Sequence, residues 1–122
     1  MRVVVERLDA DATQCGISES QIESIANLTL RNNRVQPNPT AVGYLYVAIT
    51  VIPSSGYCIH TTAVQVLAPG MQIGNSGFRG RAANVELCDK HSVGALARVN
   101  FPMLVENDVE RLIKQCLGSL DY

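Results

Sequence analysis

A long strand–turn–strand segment in the middle of the chain constrains its fold most. Residues 44–52 and 57–67 are rich in β-branched and aromatic side chains, and Pro53-Ser54-Ser55-Gly56 between them is typical of a turn. Placing Ile52 opposite Tyr57 predicts an antiparallel hairpin whose side chains alternate between two faces. The more apolar face is the predicted core face. Its members are Leu45, Val47, Ile49, Val51, Cys58, His60, Thr62, Val64 and Val66.

The opposite face of this hairpin carries four large side chains, Tyr44, Tyr46, Tyr57 and Ile59. We expect them to cluster on the side of the sheet that faces away from the helices. Exposed aromatic patches are typical of interaction surfaces, so these residues form the predicted binding surface. The alternative is that the segment 68–80 folds over them.

Two helices flank the strands. Ser18 and Gln21 have the spacing of a capping box, and Asn32-Asn33 is a natural end for the helix that they begin. A second helix is predicted after Pro102, because apolar residues recur there at helical spacing. These residues are Val105, Val109, Leu112, Ile113, Cys116, Leu117 and Leu120.

The remaining segments complete an α+β pattern. Val3 to Val5 predict a first strand, and residues 9–16 break it. Residues 83–87 and 93–99 predict two further strands, joined by a turn over Asp89-Lys90-His91-Ser92. The expected order is β-α-β-β-β-β-α, an antiparallel sheet of about five strands with both helices on one face, in a single domain spanning 1–122.

Charge and hydropathy exclude some classes of partner. The formal net charge is −1 and like charges do not form runs, so we expect no nucleic acid partner and no attraction to anionic membranes. No apolar run reaches the length of a membrane span. The first residues do not resemble a secretory signal, and they fit either a mature domain that has lost its leader or a cytosolic protein that starts with a strand.

The four cysteines, Cys15, Cys58, Cys88 and Cys116, are widely spaced and form no CxxC motif. Their number allows three full pairings, and four reduced, buried thiols are the alternative. Our hypothesis is a Cys15–Cys58 disulfide that ties the start of the first helix to the sheet. Cys88 and Cys116 would then form a second pair or stay free. By the predicted alternation Cys88 points away from the helices, which favours free thiols.

Two cysteines and two histidines offer an alternative function. Cys58 and His60 share one strand face, and Cys88 and His91 flank the predicted turn. Together they are a tetrahedral zinc set in composition, although their spacing matches no standard zinc motif. A nucleophilic thiol at Cys58 with His60 is the related enzymatic alternative.

Arg79 and Arg81 lie in a glycine-rich stretch that starts at Gly70. Backbone amides and two guanidinium groups could hold an anion there. The stretch precedes a predicted strand rather than a helix, so it lacks the context of a nucleotide-binding loop. A plain hairpin loop is the alternative.

Short motifs distributed along the chain resemble a group of small exported bacterial proteins of unknown function. They are Cys15-Gly16, Leu30-Arg31, Tyr44-Leu45-Tyr46-Val47 and Asp121-Tyr122. The resemblance implies export and adds no catalytic residue.

Together these observations predict a non-enzymatic binding or interaction module without a cofactor. It would self-associate as a homodimer through the sheet face that carries the tyrosines, and a further protein or small-molecule partner stays open. The expected location is periplasmic or secreted, with the cytoplasm as the alternative.

Overall fold

The computed structural model describes residues 1–37, 43–70 and 83–120. These residues form an α+β fold, as predicted from the sequence. The elements in chain order are β1 (Arg2–Val5), α1 (Ala10–Gln14), α2 (Glu19–Asn32), β2 (Tyr44–Ser54), β3 (Tyr57–Gly70), β4 (Ala83–Ala97) and α3 (Phe101–Ser119).

The described strands form one sheet in the order β1-β2-β3-β4. β1 runs parallel to β2, while β2 to β4 are antiparallel neighbours. A parallel pair needs a crossover connection, and here the segment between β1 and β2 contains α1 and α2. The sheet has four strands rather than the five expected.

The β2–β3 hairpin turns later than the sequence pattern indicated. Ser54 pairs with Tyr57, so the turn consists of Ser55 and Gly56, and Gly56 has a φ of 81°, which glycine adopts without a steric penalty. Ile52 pairs with Ile59 instead of Tyr57. A shift of two residues leaves every side chain on its predicted face, because side chains alternate with a period of two. All nine residues of the predicted core face are buried.

The turn predicted at Asp89-Lys90-His91-Ser92 is wrong, because β4 is continuous and each of these residues pairs with β3. An edge strand tolerates charged side chains, and these four positions contain neither glycine nor proline to interrupt the ladder. The register shifts between Val66 and Leu67, so that Val66 pairs with Cys88 and Leu67 with Glu86. Leu87 lies in the irregularity and is half exposed, while Cys88 is buried.

Local capping explains where the helices begin. Asp9 accepts a hydrogen bond from the backbone of Ala12 at 2.9 Å and begins α1, a short helix in a segment where we had expected only a break. Ser18 caps α2 as predicted, accepting from the backbone of Gln21. The helices pack on the core face, and the apolar stripe predicted for α3 is buried from Val105 to Leu117.

Candidate functional site

Among the described residues, the helices cover one side of the sheet, and we call the opposite side the helix-free face. At the end of this face nearest the β2–β3 turn, apolar side chains from three adjacent strands lie side by side. Val93 is 74% exposed, Ile52 58% and Tyr57 44%. We call this group the apolar end. It comprises Ile52, Tyr57, Ile59, Val93 and Ala95, and the ladder pairs Ile52 with Ile59 and Ile59 with Ala95.

The other end of the helix-free face carries charges at its two edges, and we call it the polar end. Arg2, Tyr44, Leu67 and Glu86 form one row across the four strands, with Arg2 at one edge and Glu86 at the other. The guanidinium carbon of Arg2 lies 5.2 Å from the centre of the Tyr44 ring. The polar end comprises Arg2, Glu6, Glu86, Asp89 and His91.

Two local interactions hold side chains of the polar end in place. Burial raises the pKa of the Tyr46 hydroxyl, and the Glu6 carboxylate raises it further through its charge and by accepting a hydrogen bond from that hydroxyl. On β4, His91 Nε2 lies 2.7 Å from Asp89 Oδ1. Both edges of this end therefore present ordered polar groups.

The structure places all four residues of the predicted binding surface on the helix-free face, but it does not bring them into one cluster. Tyr44 pairs with Leu67, and Tyr57 pairs with Ser54 at the opposite end of β3. Ten residues of strand separate these positions, about 33 Å at the usual rise per residue. The sequence interpretation missed Ile52 and Val93, the two most exposed large side chains of the apolar end. Ile52 shares the parity of Tyr44 on β2, so alternation alone could have identified it.

A buried polar cluster lies on the core face, where α3 packs against β3 and β4. His60 Nδ1 and Thr62 Oγ1 are 2.8 Å apart, and Ser92 Oγ donates to Asp108 Oδ2 at 2.9 Å. Arg111 reaches Asp108 Oδ1 at 3.1 Å from the solvent side of α3. This cluster fixes α3 against two strands, because its members come from all three elements.

His60 is the least satisfied member of this buried polar cluster. Its Nε2 atom is 3.0 Å from Asp108 Oδ2, but the alignment falls short of a hydrogen bond and leaves that buried nitrogen without a partner. Burial lowers the pKa of the imidazole; the Asp108 carboxylate opposes that shift, and Arg111 adds to it. Ser92 bonds to the carboxylate and not to the imidazole, and the hydroxyl that contacts the imidazole is that of the buried Thr62.

The four cysteines form two disulfides, Cys15–Cys58 and Cys88–Cys116. The first is the pair of our hypothesis. The expectation of a free Cys88 is wrong, because the register shift in β4 turns Cys88 toward the helices, where it meets Cys116 of α3.

The disulfides also use both cysteines of the alternative zinc site, Cys58 and Cys88. Disulfide sulfurs supply neither thiolate ligands nor a nucleophile. The structure does not bring Cys58, His60, Cys88 and His91 together, since His60 is buried on the core face while His91 lies exposed on the helix-free face. Across residues 1–37, 43–70 and 83–120 there is no group of three or more histidine, cysteine, aspartate or glutamate side chains that could hold a metal ion.

Two features from the sequence fall outside the described residues. Arg79 and Arg81, the predicted anion-binding pair, lie between Gly70 and Ala83, and Asp121-Tyr122 follow the last described residue. None of the helices in the described part of the chain combines the length and the apolarity needed to cross a bilayer.

Comparisons with known proteins give only weak structural likeness. No protein-family model matches the chain, and no curated protein matches its sequence. The structure is similar to the crystal structure of the rare lipoprotein B from Shewanella oneidensis, with a TM-score of 0.46 and 13% sequence identity over 98% of this chain and 92% of that one. A TM-score and a sequence identity this low carry no functional inference.

Proposed function

We propose that this protein is a non-enzymatic interaction module that self-associates through its helix-free face. The observation that carries the proposal is the apolar end, where Ile52, Tyr57 and Val93 are exposed together on three adjacent strands. These side chains belong to regular paired strands, which set their spacing before any partner binds.

The composition of this patch differs from that of an ordinary solvated sheet face. An antiparallel sheet with one face in water usually places polar residues outward at alternate positions. Here Ile52, Ile59 and Ala95 form one row of outward apolar side chains across β2, β3 and β4. Tyr57 and Val93 lie in the rows on either side of it, which also contain Ser54, Thr50 and Thr61. Single exposed apolar residues are common on protein surfaces, whereas adjacent ones are typical of interaction sites.

A second copy of the chain is the simplest partner for this patch. A two-fold contact needs one self-complementary patch, because each residue meets the same patch on the other subunit. No residue of the apolar end carries a charge. Two such patches can therefore be buried against each other without desolvating an unpaired ionic group.

The location we propose is an oxidising one, periplasmic or extracellular. Support comes from the two disulfides, which use all four cysteines of the chain. Such bonds persist in exported proteins and are rare in the cytosol, where thiols are kept reduced.

Sedimentation velocity at micromolar concentration tests the proposed self-association. The wild type is expected to sediment as a dimer and Ile52→Glu as a monomer, because Ile52 lies on the interior strand β2 and pairs with Ile59, so the substitution places a charge within the buried patch. Leu28→Glu is the matched control: Leu28 is 57% exposed on α2, on the helix side of the sheet, so this variant should remain dimeric. A monomeric wild type, or equal effects of the two variants, would contradict the proposal.

A further inference from the structure

We infer that two copies stack their helix-free faces about a two-fold axis that runs parallel to the strands, so that β1 of each subunit lies over β4 of the other. This inference rests on the proposed self-association and adds the geometry of the dimer. It follows from how apolar and charged side chains are distributed along and across the sheet.

The distribution of apolar and charged side chains along the strands restricts the direction of the two-fold axis. An axis in the contact plane and parallel to the strands keeps each end of the face over the same end of the partner, so the two apolar ends meet. A two-fold axis that lies in the contact plane, perpendicular to the strands and through the middle of the face, would instead place each end of the face over the opposite end of the partner. It would place Asp89 and His91 over the apolar end of the partner subunit, where their polar groups would lose water without gaining partners.

The distribution across the sheet supports the same axis. Rotation about a line parallel to the strands reverses the strand order, which places the edge strand β1 over the opposite edge strand of the partner. Arg2 and Glu86 belong to one row, at its two ends. Arg2 therefore meets Glu86 of the partner subunit, and the symmetric contact repeats at the other edge. Two rows further along lies His91, and the Glu6 carboxylate of the other copy is brought over it.

The area available argues against a smaller overlap. Rows on one face are about 7 Å apart and strands about 4.8 Å apart, so the five positions of the apolar end alone present roughly 170 Å² of flat footprint. Stable interfaces bury about 800 Å² per partner. Only an overlap of most of the face, polar end included, approaches that size, and the parallel axis is the one that places Arg2 over Glu86 of the partner subunit.

Charge reversal tests this geometry. Arg2→Glu and Glu86→Arg should each raise the dimer dissociation constant about tenfold, since each turns two attractive contacts per dimer into repulsive ones. The variant that combines both reversals should return to within about threefold of the wild type. Glu23→Arg, the same change on an exposed position of α2, is the control and should leave the constant unchanged.

Mixing the two single variants gives the sharpest readout. Both contacts are attractive only when an Arg2→Glu subunit pairs with a Glu86→Arg subunit, so heterodimers should outnumber both homodimers in native mass spectra of the mixture. Statistical mixing, or effects that add in the combined variant, would overturn the parallel axis. A wild-type dimer that Ile52→Glu dissociates would still leave the proposed function standing. A monomeric wild type would overturn both.

Discussion

Gly94 lies against the imidazole of His60, its ladder partner on β3. A Cβ built on Gly94 would come within 2.9 Å of His60 Nε2 and 3.2 Å of Leu104 Cδ2. The glycine is thus the position that lets a ring fit between β4 and α3. The buried imidazole in turn packs against the Phe101 ring in a T-shaped arrangement, with ring centres 5.7 Å apart.

Gly94→Ala should therefore destabilise the fold by about 1–3 kcal/mol, as an added methyl group does in a well-packed core. Gly118→Ala is the matched control, because a Cβ there meets nothing within 4 Å and the position lies in α3. That variant should be neutral or more stable by up to about 1 kcal/mol, since alanine favours helix. Urea unfolding of both variants decides the point, and equal midpoints would show that the space beside His60 is not filled.

The stability of the protein should fall on mild acidification because of His60. Its pKa is lowered in the folded state by burial, so below about pH 6.5 the unfolded chain takes up a proton that the folded protein does not. The contribution is absent above that pH and grows as the pH falls toward the folded-state pKa. The charged groups that act on the ring, Asp108 and Arg111, oppose and reinforce the shift respectively.

The measurement is the free energy of unfolding between pH 7.5 and 5 for the wild type and two variants. His60→Gln should flatten the loss of stability over this range, whereas His91→Gln should retain it, because His91 is exposed. The same slope in all three proteins would assign the effect to other groups. An NMR titration of the His60 ring in the wild type reports its pKa even where His60→Gln fails to fold.

Some elements of this fold can be predicted from the sequence and others cannot. The core and outer faces of β2 and β3 follow from alternation, and the start of α2 follows from Ser18. The length of β4 does not, because its polar run resembles a turn until one knows that β3 is long enough to pair with all of it.

The environment of His60 and the pairing of the cysteines also depended on tertiary contacts. The register shift beside Val66 reverses the face of Cys88, and no local pattern marks it. Likewise, Asp108 reads as one of several acidic residues early in α3, and only packing brings it to the imidazole. The apolar end could be predicted from the sequence only in part. Ile52 follows from the alternation of side chains along β2, whereas Val93 can be placed on the helix-free face only once β4 is known to be continuous.

Thiol counting should find no reactive cysteine in unfolded, unreduced protein prepared under oxidising conditions, and four after reduction. The two bonds close loops with sequence separations of 43 and 28. In the chain-entropy model they are worth about 4 and about 3.5 kcal/mol. Replacing both cysteines of a bond by alanine should lower the melting temperature, and the decrease should be larger for Cys15 and Cys58 than for Cys88 and Cys116. Two reactive thiols would show that one bond is absent.

The central claim is that the apolar end is buried between two copies, and methyl NMR over a dilution series measures this without a substitution. On going from a concentration well above the dimer dissociation constant to one well below it, the methyl resonances of Ile52 and Val93 should shift, while those of Leu28 on α2 stay in place. Rotational correlation times should fall by about half over the same range. Resonances of Ile52 and Val93 that do not change with concentration, or changes confined to the helices, would contradict the account.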